Sequence, residues 1–138
     1  MELNGAVIAI TGGAQGLGLA MAKLLGECGA RLALVDRDEE CLAQAAGQLA
    51  ELGIVAEAFV ADIAQEDAVE RCFAKIHDRL GPLSGLVNNA GITRDGLLVK
   101  VKDGRVEKTM SLSQWQQVLD VNLTGVFLCG REAARQMI

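Results

Sequence analysis

Three glycines, Gly12, Gly16 and Gly18, follow directly on an apolar, β-branched run that ends at Thr11. A helical pattern of Leu17, Ala20, Met21, Leu24, Leu25 and Cys28 opens out of them. Glycine lets the main chain approach a ligand with no Cβ in the way. The amides that open a helix have no partner inside it, and the helix dipole adds partial positive charge there. A strand, a tight turn and a helix in this order suit a pyrophosphate. The plainer alternative is a Gly-rich turn that only packs well. Asp36 weighs against it. It lies 24 residues beyond Gly12, at the end of a second apolar run, Arg31–Val35. An acid so placed accepts hydrogen bonds from an adenosine ribose. The spacing reads G-x-x-x-G-x-G and departs from the commoner G-x-G-x-x-G.

The elements that must position these residues follow from periodicity. Strands are expected over Ala6–Thr11, Arg31–Asp36, Ile54–Ala61 and Gly85–Asn88. Helices are expected over Gly16–Gly29, with Gly29 past the end, over Asp38–Leu52 and over Gln65–Leu80, where Gly81-Pro82 stops the pattern. The alternation βαβαβαβ implies parallel strands with right-handed crossovers, an α/β Rossmann-type doubly wound sheet. With four strands the sheet is incomplete, and its fourth strand is an uncovered edge.

Beyond Gly91 the pattern changes. Val99–Lys108 alternates around Asp103-Gly104, which predicts a small β-hairpin with a two-residue turn. Val101 is expected opposite Val106, and Lys100 opposite Glu107. Ser111 or Ser113 then caps a helical stretch with Trp115, Val118 and Leu119 on one stripe, running in one or two segments to Met137.

Composition narrows the function classes. At 138 residues the chain is one domain by the usual prior, and 51% hydrophobic with 3% aromatic residues implies a core of Ala, Leu, Ile and Val. The net charge of −5 argues against a nucleic-acid partner. No apolar run reaches the roughly 18 residues of a membrane span. Cys28, Cys72 and Cys129 sit in apolar helical patterns and read as small buried thiols in a reducing compartment, the cytoplasm. The single histidine, His77, sits among charges and makes a zinc or triad site improbable, so no metal is expected.

Taken together, these residues resemble the short-chain dehydrogenase/reductase family. The resemblance rests on Thr11-Gly12-x-x-x-Gly16-x-Gly18, on Asp62 after the third strand, on Asn88-Asn89-Ala90-Gly91 after the fourth, and on Val121-Asn122. It covers essentially the whole chain but only the first half or so of a usual member. Within the family, Ile92-Thr93-Arg94-Asp95 and the general run look most like 3-oxoacyl-acyl-carrier-protein reductases.

The resemblance implies roles. Gly12, Gly16 and Gly18 form the turn under a dinucleotide pyrophosphate, and Ala14, Gln15 and Leu17 line it through their backbone. Asp36 holds the ribose hydroxyls, and its charge repels a 2′-phosphate, favouring NAD. Arg37, directly after it, could instead neutralise such a phosphate and admit NADP. Asp62 and Ile63 flank the adenine. Asn89, Ala90 and Gly91 line the cofactor, the asparagines also serving as caps for backbone groups. Asn122 belongs to the family's catalytic set, where it supports a proton-relay water. Its structural alternative is a mid-helix Asn with a local backbone bond and a kink.

The family's Ser and its Tyr-x-x-x-Lys are expected after this chain ends, and the sequence holds no tyrosine. Tyr is the general acid/base, and no residue here replaces it. Lys100, Lys102 and Lys108 lie in the hairpin and read as solvated, and the hairpin is longer than that loop usually is in the family. The resemblance therefore implies the cofactor-binding half of an NAD(P)-dependent alcohol dehydrogenase or ketoreductase, inactive by itself. Its substrate would be a small-molecule or acyl-carrier-bound carbonyl or alcohol. Homo-oligomers are expected through Ser113–Ile138. The competing function is a non-catalytic dinucleotide-binding module, or a subunit that needs a partner chain.

Overall fold

The computed structural model describes residues 2–138. Four parallel strands form the sheet: β1 (Val7–Thr11), β2 (Arg31–Asp36), β3 (Ala56–Val60) and β4 (Gly85–Val87), in the spatial order β3-β2-β1-β4. Three helices connect them, α1 (Gly16–Glu27), α2 (Glu39–Glu51) and α3 (Glu66–Leu80). The helices and strands fall within a residue or two of the spans read from periodicity.

Alternation along the central strands builds the two layers. Ile8 and Ile10 of β1, with Leu32 and Leu34 of β2, face Ala22 of α1 and Leu42, Ala45 and Leu49 of α2. Val7, Ala9, Ala33 and Val35 face the opposite way, onto Val69, Phe73 and Ile76 of α3 and Leu128, Cys129 and Ala133 of α5 (Gly125–Met137). A strand buried on both faces reads as a continuous apolar run, which is why β1 and β2 show no polar alternation.

After β4 come β5 (Val99–Lys102) and β6 (Arg105–Thr109), an antiparallel hairpin, then α4 (Leu112–Leu119), a π-helical turn over Asp120–Thr124, and α5. Ser111, not Ser113, caps α4. Its hydroxyl accepts from Gln114 N–H at 3.1 Å while the Gln114 side chain accepts from Ser111 N–H at 3.0 Å, a reciprocal capping box.

Two expectations are corrected. Lys100 pairs in register with Lys108 rather than Glu107, because a bulge lies between Lys100 and Val101; Val101 does oppose Val106. The Lys100–Glu107 ion pair still forms, at 2.7 Å, across the diagonal. Cys28, the C-cap of α1, is exposed, whereas Cys72 and Cys129 are buried. Trp115 is exposed, and α4 buries none of its residues completely. Periodicity shows that a helix has an apolar stripe, not that something covers it.

Burial pushes the Cys72 thiol up to about 12 and the Cys129 thiol up to about 11. Both stay protonated in the fold at a pH where the unfolded chain has begun to lose those protons. The unfolded state then binds fewer protons, so stability falls as pH rises above about 9. The expected loss is about 1.4 kcal/mol in total for each thiol between pH 8 and 10, read from urea melts against a Cys72→Ala/Cys129→Ala variant. Iodoacetamide at pH 8 should modify Cys28 and leave Cys72 and Cys129 unmodified until the chain is unfolded, as peptide mass spectrometry would report.

Candidate functional site: the crevice at the strand ends

Because β1 is followed in space by β2 on one side and β4 on the other, the chain reverses its winding between β1 and β4. Open α/β sheets form their crevice at the carboxyl ends of the strands at such a point. A cleft of about 280 Å³ lies there. Each strand contributes its last residues to the wall: Gly12 after β1, Val35 and Asp36 of β2, Ala61 and Asp62 after β3, and Asn89 to Ile92 after β4.

The turn after β1 is held from below. Gly12 N–H donates to Val35 O at 2.8 Å, and its φ of +65° is in the region that favours glycine. A Cβ on Gly12 would stand 2.9 Å from Ala90 Cα. A Cβ on Gly18 would run into the Gly12 carbonyl oxygen. These two glycines therefore serve close packing of the turn, the helix and the segment after β4.

The mouth of α1 is left open by its own sequence. Gln15 is the N-cap but makes no side-chain capping bond, and the first turn contains no acid. The helical ladder begins with Leu19 N–H donating to Gln15 O at 3.2 Å. The amides of Gly16, Leu17 and Gly18 precede it and have no partner within the helix. By contrast α2 is closed by Asp38, whose carboxylate accepts from Cys41 N–H at 2.9 Å and is held below the usual carboxylate range by that bond. A helix start without side chain or acid suits an outside anion.

Thr11 and Asn89 join the ends of β1 and β4. The buried Thr11 Oγ1 accepts from Asn89 N–H and Ala90 N–H, both at 3.1 Å. The Asn89 side-chain amide donates to Thr11 O at 3.1 Å and Gly12 O at 3.2 Å. Asn89 thus caps backbone while also lining the cleft.

Asp36 stands at the same turn. Its Oδ2 accepts from Ala14 N–H at 3.4 Å, and its Oδ1 from Arg37 N–H at 2.8 Å and Asp38 N–H at 3.3 Å. Asp62 Oδ1 accepts from Ala64 N–H at 3.0 Å in a turn of its own. Both carboxylates border the cleft with Arg37 and Ile63.

Of the residues singled out from the sequence, Gly12, Gln15, Asp36, Arg37, Asp62, Ile63, Asn89, Ala90 and Gly91 come together as cleft wall. Ala14 is buried and Leu17 is 69% exposed, and neither they nor Gly16 and Gly18 are part of the cleft wall. Asn122 does not make the local bond of a mid-helix asparagine. It sits in the π-helical turn and reaches across to the loop after β4, where Oδ1 accepts from Ile92 N–H at 2.8 Å and Nδ2 donates to Ile92 O at 2.9 Å. That two-point clamp fixes Ile92, itself part of the cleft wall.

Val35, Ala61, Ile92 and Val121 line the cleft without having been singled out. Val35 and Ala61 were findable as the residues that end the second and third apolar runs. Ile92 and Val121 stood in the motifs that carried the resemblance but were given no site role, because only the long-range clamp of Asn122 on Ile92 ties the two segments together.

A parallel sheet wound both ways, with a crevice at its switch point and an uncapped glycine turn beneath it, defines a Rossmann-type domain. The chain belongs to the short-chain dehydrogenase family, whose family model matches residues 6–138. It is similar to the 2,3-dihydro-2,3-dihydroxybenzoate dehydrogenase of Bacillus subtilis, 36% identical over 99% of this chain and 49% of that protein. It is also similar to a 3-oxoacyl-[acyl-carrier-protein] reductase of Rattus norvegicus, 42% identical over 96% of this chain and 51% of that one. Among solved structures, an NAD+-bound xylitol dehydrogenase superposes with a TM-score of 0.84 at 32% identity, covering 99% of this chain and 50% of that one. The chain spans about half the length of the curated relatives it matches.

Proposed function

We propose that this chain is the dinucleotide-binding half of an NAD(P)-dependent short-chain oxidoreductase acting on a carbonyl or secondary alcohol. The observation that carries the reading is the open mouth of α1 at the cleft, with the Asp36 carboxylate at the same turn. A pyrophosphate would take the unpartnered amides of Gly16, Leu17 and Gly18. Asp36 would accept from the adenosine ribose hydroxyls, Asp62 and Ile63 would flank the adenine, and Asn89, Ala90 and Gly91 would guide the cofactor along β4. The bound nicotinamide would supply the hydride donor or acceptor. Asn122, through Ile92, would hold the wall beside the reacting atoms.

NAD is favoured over NADP. Three backbone N–H groups position the Asp36 carboxylate at the cleft, where its charge would repel a 2′-phosphate. Arg37 borders the same cleft and tempers this preference. The sequence contains no tyrosine, so the chain alone is expected to bind cofactor without turning over substrate. Exposed Trp115, Leu123 and Phe127 on the α4–α5 side support association between copies.

Calorimetry with NADH and NADPH tests the reading. NADH should bind more tightly than NADPH. Asp36→Ala should weaken NADH by about 10- to 50-fold, the worth of one to two charge-assisted hydrogen bonds, and narrow the gap to NADPH. Asp36→Asn keeps the acceptor and removes the charge, so it should relieve NADPH more than it harms NADH. Absence of heat with either cofactor at millimolar concentration would remove the reading.

A further inference from the structure

At one side of the sheet β3 has no neighbour, because the order β3-β2-β1-β4 leaves it an edge strand. Backbone polar groups point alternately to the two sides of a strand. Leu32 N–H donates to Val55 O and Ala61 N–H to Asp36 O, both at 2.9 Å. Glu57 and Phe59, between them, therefore also turn their backbone groups toward β2. Ala56, Ala58 and Val60 turn theirs outward, and among the described residues nothing pairs with them. Edges are usually blunted by a proline, a bulge or a charged side chain on the strand. The outward residues of β3 are two alanines and a valine, in unbroken register with β2.

A groove of about 260 Å³ runs beside this edge, between Ala58–Val60 and α3. Phe59 and Cys72, both buried, give it an apolar base, and α3 contributes Arg71, Lys75 and Arg79. No acidic side chain lines it, on a chain whose net charge is −5. Lys75 makes no ion pair among the described residues, and Arg71 reaches only Asp67, at 4.0 Å between exposed side chains. Arg79 is held in place, its Nε on Glu57 Oε2 at 2.7 Å and its guanidinium 5.5 Å from the centre of the Phe59 ring. That pairing uses Nε alone, and the terminal amino groups keep their donors free. The three cations recur every fourth residue of α3, about 6 Å apart along its axis. Side chains on one face of an extended strand recur about every 6.7 Å. A strand laid along the edge with an acid at every second position would meet the cations nearly in step.

We propose that the free edge of β3 takes up an extended acidic segment of a partner protein as a fifth strand of the sheet. The outward N–H and C=O groups of Ala56, Ala58 and Val60 would supply the ladder, and Arg71, Lys75 and Arg79 would select carboxylates at alternate positions. Charge decides against a second copy as the occupant. Two copies paired edge to edge about a two-fold axis would set their basic stripes side by side on one face. No residue of the groove lines the cofactor cleft, so the proposal is independent of the cofactor reading.

The test uses the 138-residue chain and a short fluorescein-labelled peptide in which glutamate alternates with valine. Anisotropy should show saturable binding that weakens as salt rises from low to physiological. The same peptide with lysine in place of glutamate should not bind. A version N-methylated on every backbone nitrogen keeps the charge and loses the ladder donors, so it should bind about 10-fold more weakly or worse. Arg71→Glu/Lys75→Glu should weaken the glutamate peptide by about 10-fold or more and leave the urea midpoint in place, since both side chains are exposed. Amide hydrogen exchange reads the edge directly. Bound peptide should slow Ala58 and Val60 by about 10-fold or more and leave Glu57 and Phe59, already bonded to β2, unchanged. The proposal is overturned if the glutamate peptide fails to bind at low salt, or if the lysine or N-methylated peptide binds equally well. Unaltered exchange of Ala58 and Val60 at saturation also overturns it. Protection of those two amides without peptide, lost on dilution as light scattering reports a halved mass, overturns it in favour of a second copy. NADH affinity, measured in parallel, should be the same in the variant. NADH binding without peptide binding removes the strand proposal alone, and peptide binding without NADH binding removes the cofactor reading alone.

Discussion

Gly18→Ala should lower the stability of the chain by about 2 kcal/mol and abolish measurable dinucleotide binding. A methyl group in a helix interior normally helps, by up to about 1 kcal/mol relative to glycine. Here the added Cβ meets the Gly12 carbonyl oxygen and stands 2.7 Å from Asn89 Nδ2. Neither neighbour is free to give way. Gly12 is held by its N–H bond to Val35 O, and its carbonyl is held by the Asn89 amide. Overpacking against fixed backbone costs about 3 kcal/mol, which outweighs the helical gain. The turn must shift to relieve the clash, and the turn is the cradle. Gly47→Ala is the control. Gly47 lies in α2, and a Cβ there meets nothing within 4 Å, so the same chemical change should stabilise by about 0.5–1 kcal/mol. Urea unfolding of the two variants should move the midpoint in opposite directions. Equal shifts would mean that the close approach of Gly18 to Gly12 does not constrain the turn.

Thr11→Val should cost about 2 kcal/mol and loosen the segment from Asn89 to Gly91. The swap keeps the shape and removes one hydroxyl. Asn89 N–H retains Val87 O at 3.1 Å, but Ala90 N–H has Thr11 Oγ1 as its partner and is left without one. Losing the hydroxyl strips the part-buried Ala90 N–H of its acceptor and Val87 O of the donor at 3.4 Å, which together cost about 1–3 kcal/mol. Thr11→Ser restores the oxygen and gives up one methyl group, so it should cost about 1 kcal/mol or less. Amide hydrogen exchange at Ala90 separates the two explanations. It should speed up in Thr11→Val and stay slow in Thr11→Ser, whereas a packing effect would put the variants in the opposite order.

These two residues show where sequence reading reaches and where it stops. The strand, glycine turn and helix were legible because each is set by local rules: continuous apolar runs, glycines where the chain must turn, a period of 3.6 behind them. The acid at the end of the second run was legible for the same reason. The hairpin was legible from Asp103-Gly104 between alternating segments, but its register was not. The bulge beside Val101 turns Lys100 toward Lys108, and a one-residue irregularity leaves no mark on an alternating pattern.

The sequence by itself determined a doubly wound α/β domain with a glycine turn after the first strand and a carboxylate at the end of the second, because those features depend on neighbours along the chain. Only the tertiary structure decided which groups hold that turn in shape. Thr11 Oγ1 reaches Ala90 across 79 positions, and Asn122 reaches Ile92 across 30. No periodicity encodes such separations. They exist because parallel strands end at one edge of the sheet and bring their last residues into one crevice.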